Sequence, residues 1–353
     1  MKKNILVVDD SALMRRIMCD IINTDPDFQA VEYCRDGQEA YERLKMKSYD
    51  GVVLDINMPR MDGLQLLERL QQEHIKANVV VASTLNAADV TILAMERGAI
   101  DFIQKPTNVI EAKGEEFKKN LLSILRTFED GGPAGSTSRV PDRIPRKNVP
   151  DKRKQESVRS GRKLVAIACS TGGPKALQNV IPHLPKNIDA PVVIVQHMPA
   201  GFTKSMADRL NELSKVTVTE AEDREPLEKG HVYIAPGGRH LQVVRGTDNV
   251  HRISLNDMPP IGGLRPCANV MYDSLSDTDY DEIICVVLTG MGADGTNGIL
   301  SLAKHKKVYV IAEDEASSVV YGMPRMITEA GVVDEVTALS EVAGSITKNV
   351  GVK

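Results

Sequence analysis

The sequence predicts a two-domain α/β protein, a five-stranded parallel sheet followed by a doubly wound, mainly parallel sheet with a small β-hairpin excursion. Three observations carry this. Short apolar runs alternate with amphipathic segments at helical spacing, which implies parallel crossovers. The alternation stops once, between Glu129 and Lys163, and then resumes. The 353 residues exceed what a single core usually organises.

Bulk composition excludes more than it selects. A hydrophobic fraction of 42% and a charged fraction of 26% are ordinary for a globular protein, and a net charge of −4 argues against general nucleic-acid affinity. Cys19, Cys34, Cys169, Cys267 and Cys285 are scattered, odd in number and without zinc spacing, so they read as reduced core thiols of a cytoplasmic protein. The opening "MKKNILVVDD" is too short in its apolar run for a signal peptide or anchor, and no stretch is long enough to insert in a bilayer.

In the first domain, residues 1–128, "NILVVD", "DGVVLD", "NVVVAS" and "AIDFIQK" read as strands. Ligands of open α/β sheets bind at the carboxyl ends of strands, and every end here is polar. The first strand ends in Asp9 and Asp10, the third in Asp55, the fourth in Ser83, and the fifth in Lys105. Three carboxylates at one sheet edge repel unless a hard cation sits among them, and Mg²⁺ suits an all-oxygen set. Singly, each aspartate also reads as a helix cap and the lysine as a solvated side chain.

As a set, these residues resemble the receiver domain of two-component response regulators, a flavodoxin-like fold. The resemblance implies that Asp55 accepts a phosphoryl group from a histidine kinase. It implies that Asp10, Asp55 and the backbone carbonyl of Asn57 bind Mg²⁺, with Asp9 acting mainly through a bound water. Lys105 would contact the phosphoryl group, Ser83 would report it, and Phe102 occupies the aromatic switch position. Serine at 83, where the family has threonine, is a mild departure.

Residues 129–162, "EDGGPAGSTSRVPDRIPRKNVPDKRKQESVRSGR", have the composition of an exposed basic linker, either a solvated tether or a docking segment. The second domain, 163–353, supplies "KLVAIACS", "PVVIVQH", "VTVTEA", "HVYIAP", "EIICVVLTG" and "KVYVIAED" as strands. "LQVVRGTDNVHRISL" reads as a hairpin turning at Gly246, Asp248 and Asn249.

The first of these strands delivers Ser170, and Thr171-Gly172-Gly173 turn the chain toward a helix with Pro174 in its first turn. Ser170 is then either a nucleophile beside oxyanion-stabilising N–H groups or, with Thr171, only an N-cap. The spacing fits neither a Walker phosphate loop nor a G-x-S-x-G elbow, since Ala168 replaces the first glycine. The next strand ends in His197, on the same rim as Ser170 if the two strands are neighbours. His74, His183, His231, His240, His251 and His305 fall in loops, helix ends or the hairpin region.

The loop "GMGADG" supports two readings. Gly290, Gly292 and Gly295 spell G-x-G-x-x-G after a strand, with Glu313 and Asp314 at the distance of a ribose contact, as in a dinucleotide site. Alternatively Asp294 orients His197 and stabilises its imidazolium, which makes a Ser170–His197–Asp294 triad. Asp223 and Asp257 are other acids, but they end no strand.

The stretches "ACSTGGPKAL", "IVQHMPAGFTKSMADRL", "YIAPGGRHL" and "LTGMGADGTNG" closely resemble the catalytic domain of the chemotaxis protein-glutamate methylesterases and protein-glutamine glutaminases. That resemblance implies a triad of Ser170, His197 and Asp294, with Thr171 and the backbone of Met291 beside the oxyanion. It implies a serine hydrolase that needs no catalytic cofactor, removes γ-methyl esters from chemoreceptor glutamates with release of methanol, and deamidates receptor glutamines. A chemotaxis histidine kinase would supply the phosphoryl group, and the unphosphorylated receiver would cover the catalytic rim. A DNA-binding output domain, common behind receivers, would instead be short, basic and helical.

Overall fold

The structure, a computed structural model, describes residues 2–128 and 161–352. The first domain runs β1 (Lys3–Val8), α1 (Ala12–Asn23), β2 (Phe28–Cys34), α2 (Gly37–Met46), β3 (Gly51–Asp55) and α3 (Gly63–Gln72). It continues with β4 (Val79–Ser83), α4 (Ala88–Glu96), β5 (Asp101–Gln104), α5 (Val109–Ala112) and α6 (Glu115–Arg126). Its five strands are parallel in the order β2-β1-β3-β4-β5. Strands β3 and β4 are buried at every residue, so they read as unbroken apolar runs. Edge strand β2 turns Val31 and Tyr33 to solvent, which is why its sequence carries no such run.

The second domain contains β6 (Lys163–Cys169), α7 (Gly173–Val180), β7 (Val192–Gln196), α8 (Phe202–Leu213), β8 (Thr217–Glu220), β9 (His231–Ile234), β10 (His240–Arg245) and β11 (His251–Asn256). After them come α9 (Ala268–Ser274), β12 (Glu282–Val287), α10 (Thr296–Leu302), β13 (Lys307–Glu313), α11 (Met323–Glu329), β14 (Glu335–Thr337) and α12 (Leu339–Val350). Seven strands form one sheet, ordered β14-β13-β12-β6-β7-β9-β8, and every pairing is parallel. The domain is thus mainly parallel, as predicted, with the antiparallel pairing confined to the hairpin. The three-residue β14 is too short to leave a sequence pattern. The predicted hairpin is β10-β11, antiparallel from His240↔Asn256 to Arg245↔His251, with Asn249 at φ 63° in its turn.

The chain leaves β6 toward β7 on one side and returns to β12 on the other. The carboxyl ends of β6 and β12 therefore flank a topological switch point, where open α/β sheets leave a crevice. Of the sequence-assigned linker, residues 129–160 lie outside the described residues. Arg162, the last residue of that span, is held against the second domain. Its N–H donates to Asp281 at 2.7 Å, its guanidinium donates to Asp279 at 2.8 Å, and it lies over the Tyr280 ring.

The two domains share an apolar core that passes from Ala88, Ile92 and Phe102 into Phe202 and Met206. The Phe102 and Phe202 rings are 4.4 Å apart between centroids and tilted by 34°, a close-packed pair at the short edge of favourable aromatic distances. Beside them, Arg209 of α8 grips Glu96 of α4 through Nε at 2.7 Å and a second guanidinium nitrogen at 3.1 Å. Gln178 also donates to Glu96.

Candidate active site

Strand β6 ends at Cys169 and presents Ser170 over the switch point. Gly172, at φ 77°, turns the chain back so that α7 starts one residue later. From the β12 side, Thr289 accepts the Ser170 N–H at 3.0 Å. Gly290 presses against the serine so closely that a Cβ there would sit 2.8 Å from the Ser170 Cβ and 2.5 Å from the Met323 Sδ. The first of the fingerprint glycines, Gly290, thus serves close backbone approach to the serine. From below, the buried Gln196 side chain donates to the carbonyls of Ser170 and His197 at 3.0 and 3.1 Å.

β6 and β7 are neighbours, so the predicted common rim is real: the His197 N–H donates to the Cys169 carbonyl at 3.2 Å. The His197 Nε2 lies 2.8 Å from the Asp294 Oδ2. That leaves Nδ1 as the ring nitrogen available to Ser170. Serine and imidazole line one pocket, and no hydrogen bond joins them among the described residues. Catalytic hydrogen bonds commonly tighten only around a substrate.

Asp294 is fixed from every side. Its carboxylate accepts from the N–H groups of Ala268 at 2.6 Å, Asn269 at 3.0 Å and Gly295 at 2.9 Å, and from the Cys267 thiol at 3.1 Å. Burial opposes its ionisation, but His197 and these donors outweigh burial and hold the carboxyl down at about 2. An ionised, immobile carboxylate fixes the orientation of the imidazole ring.

Behind the nucleophile, Thr289 straps the two loops together. Its hydroxyl donates to the Thr171 carbonyl at 2.9 Å, and its N–H donates to the buried Glu313 carboxyl at 2.8 Å. Burial pushes the Glu313 carboxyl up to about 7. Thr171 is buried, whereas Met291 stands half-exposed on the pocket rim. Asp223 instead accepts the Leu255 N–H, and Asp257 pairs with Arg239, so neither reaches His197.

The pocket, about 430 Å³, has walls from both domains. Ser170, His197 and Met291 form one side, while Glu116, Asn120 and Ser123 of α6 form the other. Across the boundary Thr171 faces Asp101 in the pocket wall, and burial pushes the Asp101 carboxyl up to about 6. The first domain therefore roofs the catalytic rim, as the resemblance implies.

In the first domain, Asp9, Asp10 and Asp55 gather at the carboxyl edge of the sheet. Oxygens of Asp9, Asp10 and Asp55 can lie within 4.8 Å of one another. Lys105 Nζ is 2.6 Å from Asp9 and 2.8 Å from Asp55. Burial raises the Asp55 carboxyl, against the pull of Lys105. The Ser83 hydroxyl accepts from Thr91 at 2.6 Å, so it is turned into α4 rather than toward Asp55.

Comparison with known proteins agrees with this geometry. The family description "CheB methylesterase" matches residues 165–346, and "Response regulator receiver domain" matches residues 5–113. A protein-glutamate methylesterase/protein-glutamine glutaminase of Syntrophomonas wolfei is 40% identical over 352 residues, covering 98% of each chain. The chain belongs to the CheB methylesterase family.

Another relative with the same pair of activities in its name, from Bacillus subtilis, is 38% identical and covers 97% of each chain. The solved CheB methylesterase catalytic domain of Thermotoga maritima covers 53% of this chain and 98% of its own, with 42% identity and a TM-score of 0.51. Membership in the CheB family leaves the dinucleotide reading without support. The loop itself opposes that reading, because Asp294 points to α9 and His197, and Glu313 is sealed behind Thr289. Sequence reasoning missed Gln196, the Cys267–Asn269 cradle and the Asp101–Thr171 contact. The glutamine before His197 in a buried strand was a signal for the first, and nothing local signals the other two.

Proposed function

We propose that Ser170, His197 and Asp294 carry the hydrolysis performed by this receiver-controlled protein-glutamate methylesterase and glutaminase. The observation that carries the proposal is the 2.8 Å His197–Asp294 contact in the pocket that Ser170 enters. His197 takes the Ser170 proton as Oγ attacks the γ-carbonyl of a glutamyl methyl ester. The C–O bond to methoxide breaks, His197 returns the proton, and methanol leaves. A water, deprotonated by the same imidazole, then cleaves the acyl-enzyme to glutamate. With glutamine, ammonia takes the place of methanol. Thr171 and the backbone of Met291 support the oxyanion.

The receiver, taken as 1–128 and joined through 129–162 to the catalytic domain 163–353, controls access. Asp55 accepts the phosphoryl group from a chemotaxis histidine kinase, and methyl-accepting chemoreceptors are the substrate. Asp9, Asp10, Asp55 and the Asn57 backbone carbonyl would hold Mg²⁺. The fit is supported by the all-oxygen donor set and by the buried Asp9 Oδ2, which has only the Lys105 charge beside it and no hydrogen bond. The ion would neutralise the charge of the incoming phosphoryl oxygens. Lys105 contacts the phosphoryl group, while Ser83 and Phe102 report it by moving away from Thr91 and Phe202. No nucleic-acid or membrane contact is part of the reading, and no described helix is long and apolar enough to cross a bilayer.

Methanol release from a methylated chemoreceptor fragment, with and without a small phosphodonor and Mg²⁺, tests this reading. Ser170→Ala should lower the rate by about 10⁴-fold or more while leaving Asp55 phosphorylation intact. Hydrolysis at the parent rate would overturn the assignment.

A further inference from the structure

Between β11 and α9, residues 257–266 form a projecting loop, "DMPPIGGLRP", that supplies no member of the triad. Its tip is a tight hairpin. Ile261 and Leu264 exchange both backbone hydrogen bonds at 3.0 Å, around Gly262 at φ 60° and Gly263 at φ 86°. Two central residues with positive φ make this the mirror-image turn that glycine pairs adopt readily. A Cβ at either glycine would meet nothing within 4 Å, so the tip stands clear of the body.

The base of the loop is fastened. His240 Nε2 lies 3.2 Å from the Pro259 carbonyl, and Arg265 donates to the carbonyls of Asp257 and Met258 at 3.2 and 3.3 Å. Arg239 pairs with Asp257 at 3.0 Å, and Gly238 N–H donates to the Arg265 carbonyl. A short, tied loop with a free tip holds its shape without a partner.

What it presents is apolar and leads to the nucleophile. Leu264 lines the catalytic pocket with Ser170, His197 and Met291. Outward from it, Ile261 and Met258 are 43% and 53% exposed, and Met291 across the pocket mouth is 41% exposed. From Pro259 to Leu264 there is no side chain able to hydrogen-bond. Exposed large apolar side chains grouped at one site mark contact surfaces, whereas scattered ones do not. The loop also continues directly into Cys267–Asn269, which cradle Asp294.

We infer that residues 258–264 are a specificity element for the protein substrate: Leu264, Ile261 and Met258 seat apolar side chains flanking the target glutamyl ester while the ester reaches Ser170. The occupant is a segment of the substrate protein because the strip is continuous with the catalytic pocket and offers only apolar contact. This inference rests on the reading of Ser170 as nucleophile.

The test compares two substrates in the full-length, phosphodonor- and Mg²⁺-treated enzyme. One is a methylated chemoreceptor fragment, the other N-acetyl-glutamate γ-methyl ester α-amide, which is too small to touch the strip. Met258→Ser/Ile261→Ser should lower kcat/KM on the protein about tenfold and leave the small ester within twofold. Met258→Leu/Ile261→Leu should retain both activities. Equal loss on both substrates, or no loss on the protein, overturns the inference. Small-ester turnover by the serine double variant reports an intact site, and Ser170→Ala should abolish both reactions. Failure of that last arm would refute the nucleophile assignment rather than the strip.

Discussion

Asp101 is a receiver carboxylate placed against the catalytic turn, and its replacement makes a quantitative test of closure. Burial in the closed arrangement raises it from an ordinary value near 3.8 to about 6. An acid whose value is raised on closure favours the closed form fully below the ordinary value, and that contribution is lost as pH rises through about 6. At pH 7.5 the closed form holds a charge it disfavours, at a cost of about 3 kcal/mol; at pH 5 the cost is about 1.6 kcal/mol. Asp101→Asn keeps the oxygen that accepts the Phe102 N–H at 2.8 Å and removes the charge. The ratio of basal activity, parent over variant, should therefore rise about tenfold between pH 5 and pH 7.5. The assay is methanol release from a methylated chemoreceptor fragment by the unphosphorylated full chain at both pH values. Any pH dependence of the chemical step is common to the two proteins and cancels in the ratio. A ratio that stays flat across this range would refute the argument that Asp101 is charged at a cost inside the closed interface.

The ion pair and the buried acid give two further tests. Arg209→Ala removes the two-pronged grip on Glu96, and the resulting cavity-free loss should raise basal methanol release by about three- to tenfold, with little change after phosphodonor treatment. Glu313→Gln should make stability less sensitive to pH. The parent acid, raised to about 7 by burial, supports the fold fully below about pH 4.5 and loses that support as pH rises through about 7. The glutamine variant, still able to accept the Thr289 N–H, should gain up to about 3 kcal/mol relative to the parent at pH 8. The urea midpoint of the catalytic-domain transition at pH 5 and pH 8, followed by circular dichroism since the chain has no tryptophan, measures it; parallel pH dependence of the two proteins would contradict it.

Much of the fold and site was legible because the informative residues lie at strand ends. A buried parallel strand writes itself as an unbroken apolar run, and the next polar residue is then at the functional rim. Asp9, Asp55, Ser170 and His197 all stand at such strand ends. Strand β2 leaves no such run because it is half solvated, and β14 because three residues carry no period. Asp294 was harder, since its loop obeys the dinucleotide spacing for a steric reason of its own: Gly290 must lie against Ser170, and Gly295, at φ 93°, must open α10. The cradle of Asp294 and the Asp101–Thr171 contact were not legible at all. Both join residues that only the folded chain brings together, and neither follows a local pattern.

The Phe102–Phe202 pair has one more implication. In the proposed switch, the Phe102 ring would serve both the phosphoryl site and the surface that shuts the catalytic pocket, where it packs on Phe202. Thermodynamic linkage makes such an arrangement reciprocal. Whatever free energy phosphorylation contributes to opening, docking of the catalytic domain subtracts from the receiver's tendency to become phosphorylated. The shut enzyme is thereby a reluctant phosphoacceptor, and a substrate protein that holds the pocket open makes its own consumer easier to switch on.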